Sequence, residues 1–202
     1  FLQTSPTAHQ MEKQAAVALA VRALAVLGSR ISGPEFTLIT TTLAPHEAKL
    51  LSRHPDFSAV VVGWLAEAGV GIGNRVAVNL SGSFPALNIA VLAAIQAVGA
   101  EPVITSSVGA STWGATDPEF TWLDMERQLR ESALWLWKSA AASPGGVGDR
   151  GGGLAPEGKV LAIAAIGRNE VPLMESADLA AGVKRRLELY RGSSGELPPV
   201  LV

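Results

Sequence analysis

The sequence predicts an α/β fold, a largely parallel sheet flanked by helices, and three observations carry that prediction. Residues 76–80, Val-Ala-Val-Asn-Leu, form a short apolar run between Gly73-Asn74 and Ser81-Gly82-Ser83, the pattern of a buried parallel strand. Residues 86–98 follow with strong helix formers, with Pro85 where a first helical residue stands and Gly99 as a stop. A second strand-like run, 101–106, comes next. Strand, small-residue turn, helix and strand in that order make a βαβ unit. With 202 residues, 48% hydrophobic and 17% charged, the chain is long and apolar enough for one substantial domain with a real core.

The remaining elements are placed around this unit. Residues 1–10 are expected to be loose, and 11–27 form a first, alanine-rich helix closed by Gly28. Its apolar part, 15–27, is interrupted by Arg22 and is shorter than the roughly 20 residues of a membrane span, so it reads as an amphipathic helix. After a turn at 31–34, the β-branched run 36–42 reads as a strand, 45–51 and 59–69 as helices, and 70–75 as a glycine-rich connection. Beyond the second strand lie a small-residue loop over 106–115 and a helix over 125–138. The glycine-rich segment 140–158 is expected as a lid, a ligand loop or a linker. Helices over 159–166 and 179–190 flank a short strand at 171–174, and 198–202 reads as a strand beginning where the sequence stops. The expected organisation is a single domain over 1–202, truncated at both ends. It has an N-terminal helix (1–30), a core (31–142), a glycine-rich loop (143–158) and a C-terminal part (159–202).

The turn at Ser81-Gly82-Ser83 leaves a helix N-terminus facing open space, and free N–H groups with the helix dipole there favour an anion. Ser81 and Ser83 add hydroxyls, and Ser83 suits the N-cap region. The glycine spacing is not a dinucleotide fingerprint, and no lysine stands where a nucleotide-triphosphate loop needs one. The other reading is a tight structural turn. Thr40-Thr41-Thr42 ends a strand, so its hydroxyls either line a crevice at the carboxyl edge of the sheet or merely suit a strand. Ser107, Gly109 and Ser111 lie on the second loop, adjacent to the first if the sheet is parallel. Lys49 complements an anion as a point charge, or is simply solvated. The candidate ligand-binding residues are Thr41, Thr42, Lys49, Ser81, Gly82, Ser83, Asn88, Ser107, Gly109 and Ser111. Ser83, Asp124 and Glu126 are the candidates for chemistry, as nucleophile and acid/base; the two acids equally suit a helix cap, which is the stronger reading.

Composition excludes other classes. A net charge of −2 without a long Lys/Arg block argues against nucleic acid, and Lys184-Arg185-Arg186 reads as a solvated helix face. No cysteine is present, which removes disulfides, thiolate catalysis and cysteine-bound metals. His9, His46 and His54 have no metal-ligand spacing, and His46-Glu47 lacks the second histidine of a zinc-protease motif, since Leu50 holds that place. No metal or cofactor is expected. For a serine nucleophile, the Gly-x-Ser-x-Gly elbow is missing and no histidine is near in sequence.

Several stretches together resemble the poly-gamma-glutamate system protein family of bacterial capsule or polymer loci. They are Thr40-Thr41-Thr42-Leu43, His54-Pro55-Asp56-Phe57, Ser81-Gly82-Ser83-Phe84-Pro85-Ala86-Leu87-Asn88, Ser107-Val108-Gly109-Ala110-Ser111 and Phe120-Thr121-Trp122-Leu123-Asp124-Met125-Glu126. They cover most of 36–126, and beyond Gly145 the similarity rests on the glycine-rich loop with Asp149 and on 186–190. The resemblance implies an accessory protein of polymer synthesis or export, membrane-associated or extracytoplasmic, with poly-gamma-glutamate or a small anionic ligand and membrane-bound synthesis proteins as partners. It implies no settled reaction. A weaker similarity, over 76–99, is to the Rossmann-like, phosphosugar-binding SIS domains. The expected function is thus binding of a carboxylate-bearing ligand at the serine-rich loop. The alternatives are a serine enzyme acting on the amide bonds of the polymer and a phosphosugar-binding domain.

Overall fold

The computed structural model describes residues 9–192 and 195–202; the loose start expected over 1–10 lies, but for its last two residues, outside them. In chain order the elements begin with α1 (Gln10–Leu27), β1 (Thr40–Thr42), α2 (His46–Ser52), α3 (Phe57–Glu67), β2 (Arg75–Ser81) and α4 (Pro85–Ala97). They continue with β3 (Glu101–Ser107), β4 (Ala110–Ser111), α5 (Trp122–Glu131), β5 (Ala141–Ser143), β6 (Gly145–Gly146) and β7 (Arg150–Gly152). The last helices are α6 (Pro156–Arg168) and α7 (Leu179–Arg191).

The expected α/β class and the parallel pairing are observed. β2 and β3 pair in parallel from Arg75↔Glu101 to Ser81↔Ser107, and β5 adds in parallel beside β3. Two short segments extend the sheet: Leu201 bridges Ala77 and Leu173 bridges Ala142, both in parallel. The order across the sheet is therefore 200–202, β2, β3, β5, 172–174, and the two segments read from sequence as short strands, 171–174 and 198–202, each contribute one isolated parallel bridge rather than a strand.

Strand alternation divides the sheet into two unlike faces. Val76, Val78, Leu80, Ile104 and Ala142 point into the main core, where α4 packs against β2 and β3 and is itself covered by α1 and α3. Ala16, Ala20 and Ala23 of α1 are buried, small residues at near-helical spacing that let the helix lie close to its neighbours. The stretch Gln10–Ile31 is also long and apolar enough to cross a membrane, as core helices and signal sequences can be. The opposite face carries Asn79, Ser81, Thr105, Ser107 and Ser143 and receives Arg186 and Tyr190 from α7.

Four boundaries depart from the sequence reading. The strand expected over 36–42 shortens to β1, because the Thr37 and Thr40 hydroxyls bind local backbone N–H groups in a turn. The helix expected at 125–138 starts at Trp122, where the Asp124 carboxylate accepts from both the N–H and the hydroxyl of Thr121, and it ends at Glu131. α6 starts at Pro156 rather than 159, with the proline in the first turn. The glycine-rich segment is paired structure, β5, β6 and β7, rather than an open linker.

Candidate functional site

The carboxyl ends of the parallel strands open onto a cleft of about 370 Å³ lined by Thr41, Thr42, Ser81, Ser83, Ser107, Gly109, Gly145, Gly146, Val147 and Asp149. Register sets Ser81, Ser107 and the buried Ser143 opposite one another on three adjacent strands, and Ser81 and Ser107 line the cleft at the sheet edge where α/β folds bind ligands. β1 brings the threonines alongside by pairing with β4, through Thr40↔Ala110 and Thr42↔Ser111. The glycine-rich turn closes the far side. Thus Thr41, Thr42, Ser81, Ser83, Ser107 and Gly109 come together from three separate loops.

Lys49, Gly82, Asn88 and Ser111 stand behind the cleft rather than in its wall. Asn88 donates to the Ser81 carbonyl at 2.8 Å, fixing the turn. Gly82 lies so near the second loop that a Cβ would sit 2.5 Å from the Val108 carbonyl oxygen, which is why the turn needs glycine. Ser83 precedes the α4 cap position, which Phe84 occupies, and its N–H donates to Ser81 Oγ at 3.1 Å. Lys49 is 3% exposed and is not the solvated lysine of the alternative reading. Its ammonium donates to the Ser83 carbonyl and, at 2.6 Å, to Ser111 Oγ, and lies 3.7 Å above the Phe84 ring. Burial lowers its pKa from 10.5 to about 8. The Ser111 N–H donates to Ser83 Oγ at 3.0 Å, tying the two serine loops together.

Sequence reasoning missed the groups beneath the glycine-rich wall. Arg186, read there as part of a solvated face, is 13% exposed in its side chain and pairs with Asp149 at 2.6 Å. It also donates to Asn79 Oδ1 at 3.2 Å and to Ser143 Oγ at 3.3 Å. Ser143 Oγ donates to Asp149 at 2.5 Å, and Thr105 joins Asn79 to the buried Tyr190 hydroxyl. Burial raises the Tyr190 pKa, so the hydroxyl stays protonated. The alternating polar residues Asn79/Ser81 and Thr105/Ser107 were the signal for this network; α7's part has no local one.

Asp124 and Glu126 lie outside the cleft wall. Burial pushes Asp124 up, but hydrogen bonds from Arg168, Asn169 and Thr121 outweigh it and hold the carboxyl below its usual range. Arg168 reaches it at 2.6 Å and Asn169 at 2.8 Å, so Asp124 joins the helix cap to the end of α6. Glu126, 1% exposed, accepts from the Ser139 N–H at 3.0 Å and hydroxyl at 2.8 Å. Burial raises its pKa against those donors and the fields of Arg130 and Lys138. The histidines are elsewhere: His9 is beside Glu12, His54 beside Asp56, and His46 stacks at 4.6 Å on Trp113. Among the described residues no cluster of His, Cys, Asp and Glu could hold a metal.

The arrangement offers a hydroxyl-rich cleft whose one carboxylate, Asp149, is held by an arginine. Neutral donors of this kind suit carboxylate or amide oxygens. No known family, no curated protein and no solved structure matches the chain.

Proposed function

We propose that this chain is the ligand-binding domain of an accessory protein in a poly-gamma-glutamate synthesis or export system, and that the cleft holds a carboxylate-bearing segment of the polymer. The observation carrying the reading is the register of Ser81 and Ser107, which sets two hydroxyls side by side at the carboxyl edge, with Ser83 and Thr41–Thr42 around them. Hydroxyl donors in a partly enclosed cleft hold a carboxylate by hydrogen bonds, and the start of α4 adds a favourable field. The Arg186 contact offsets the charge of Asp149, which would otherwise repel an anion. The amide groups of a gamma-linked chain match the same donors. Membrane association and contact with polymer synthesis proteins follow from the family resemblance; the apolar N-terminal helix is in keeping with the first.

The test is calorimetric titration with glutamate, short gamma-linked glutamate oligomers and a panel of phosphosugars. Selective binding of the oligomers, weakened at least about tenfold in Ser81→Ala/Ser83→Ala, is expected from the loss of two hydrogen bonds to a charged group. Preference for phosphosugars would place the cleft with the SIS-like alternative instead.

A further inference from the structure

Among the residues lining the cleft, Asp149 alone is charged, and both of its oxygens are held from beneath. Oδ2 pairs with Arg186 at 2.6 Å, and Oδ1 accepts from the Ser143 hydroxyl at 2.5 Å. A guanidinium and a hydroxyl that grip one carboxylate by separate oxygens are the donors a ligand's carboxylate needs. Both stay in place without Asp149. Ser143 is buried and stands next in register to Ser107 and Ser81, and Arg186 is fixed by Asn79 Oδ1 at 3.2 Å and Ser143 Oγ at 3.3 Å. Asp149 is less firmly set: it has φ 62° in a turn where Gly146, Gly148 and Gly151 also have positive φ. It also borders a neighbouring hollow of about 390 Å³ that carries Arg150, Lys159 and Glu175. Arg150 donates there to the Ala177 carbonyl, and Lys159 has no hydrogen bond or ion pair among the described residues. Two cations against one carboxylate give Asp149 a second place to go.

We propose that Arg186 and the Ser143 hydroxyl form the seat of the ligand's carboxylate, and that Asp149 is an internal mimic of that carboxylate, displaced toward Arg150 and Lys159 as the ligand binds. The inference rests on the cleft being the carboxylate site and names the cation that the cleft wall itself lacks. The incoming carboxylate passes Ser81 and Ser107 and accepts from Ser143 and Arg186 as Asp149 does, and the turn 145–153 moves with Asp149. No bond is made or broken; one carboxylate replaces another on the same cation. A tethered competitor of this kind lowers the apparent affinity by the fraction of molecules in which the seat is open. It also sets selectivity, because a neutral oxygen is a poor competitor for arginine against a carboxylate, so uncharged ligands leave Asp149 where it is.

The test is titration of the intact protein with glutamate and short gamma-linked glutamate oligomers, joined to hydrogen exchange. Asp149→Asn keeps the turn, since asparagine tolerates positive φ, but gives up the ion pair, and it should bind at least about tenfold more tightly than wild type. Asp149→Asn/Arg186→Lys separates contact from charge: lysine keeps the positive field but not the fork, so at least about tenfold should be lost against Asp149→Asn. If Asp149 only repels anions through space, the double variant keeps the gain; that result overturns the proposal, as does unchanged affinity in Asp149→Asn. Should the variants fail to fold, the wild-type protein decides. At a saturating oligomer concentration amides 147–153 should exchange severalfold faster while β2 and β3 are unchanged. Slower or unchanged exchange in the turn means that the ligand rests on a closed wall, and overturns the inference. Glutamate binding that follows the predicted order of variants, with no oligomer binding to any form, removes the polymer and leaves the seat. Oligomer binding weakened by Ser81→Ala/Ser83→Ala but indifferent to Asp149→Asn does the reverse.

Discussion

Asp124 shows how far a single residue can be read. From sequence Asp124 reads as a cap for a helix over 125–138; the structure starts that helix at Trp122 instead, where the spacing Thr121-x-x-Asp124 makes the acid the third-position partner of a Thr121 cap. What the spacing hides is Arg168, 44 positions away, which converts a cap into a partly buried ion pair. Asp124→Asn should therefore cost about 2–4 kcal/mol in urea unfolding at neutral pH, between the loss of a cap and that of a buried pair. Because the folded carboxyl is lowered, that stability is present above the unfolded pKa and lost as pH falls through the folded one. The gap between variant and wild type should accordingly shrink in acid. Glu126 has the opposite sign. Its folded pKa is raised, so the folded state binds the proton more tightly and stability falls as pH rises from the ordinary glutamate range. Melting temperatures across pH 4 to 8 should show this slope in wild type and its flattening in Glu126→Gln. Its partner Ser139 lies beyond the end of α5, so neither contact nor burial was legible.

At the scale of elements, the βαβ unit was legible because each piece carries its own local signal: an apolar run, Pro85, Gly99 and a second run. The wall of the cleft was legible only by half. Serine and threonine loops at strand ends can be named from sequence, but bringing β1 beside β4 and folding 145–153 over them depends on pairings without local signature. The Asp149–Arg186 pair joins that wall to α7. Arg186→Met should release it, and hydrogen exchange at amides 145–153 should speed up while β2 and β3 remain protected. Gly82→Ala pushes a methyl group to 2.5 Å from the Val108 carbonyl oxygen, so the serine loops must part. A loss of about 1–3 kcal/mol is expected in urea unfolding, as for other overpacked sites.

The whole molecule is organised by the two faces of one sheet. The face against α4 is aliphatic and supplies the core, and the strand residues that alternate with it form a polar floor leading to the carboxyl edge. Reading 76–80 as a buried strand anticipated the first face and passed over the second, because Asn79 alone looks like an interruption and gains meaning only opposite Thr105. Among the described residues the cleft is lined by hydroxyls, glycines, Val147 and the Asp149 of an ion pair with Arg186, and the buried Lys49 stands behind it.

The most direct measurement of the central claim is titration of wild-type protein and Ser81→Ala/Ser83→Ala with gamma-linked glutamate oligomers. Saturable binding, selective over phosphosugars and lost or reduced at least about tenfold in the variant, is the predicted result. Equal affinity in the two proteins would show that the carboxyl-edge cleft is not where the polymer binds, and no binding to wild type would remove poly-gamma-glutamate as the ligand.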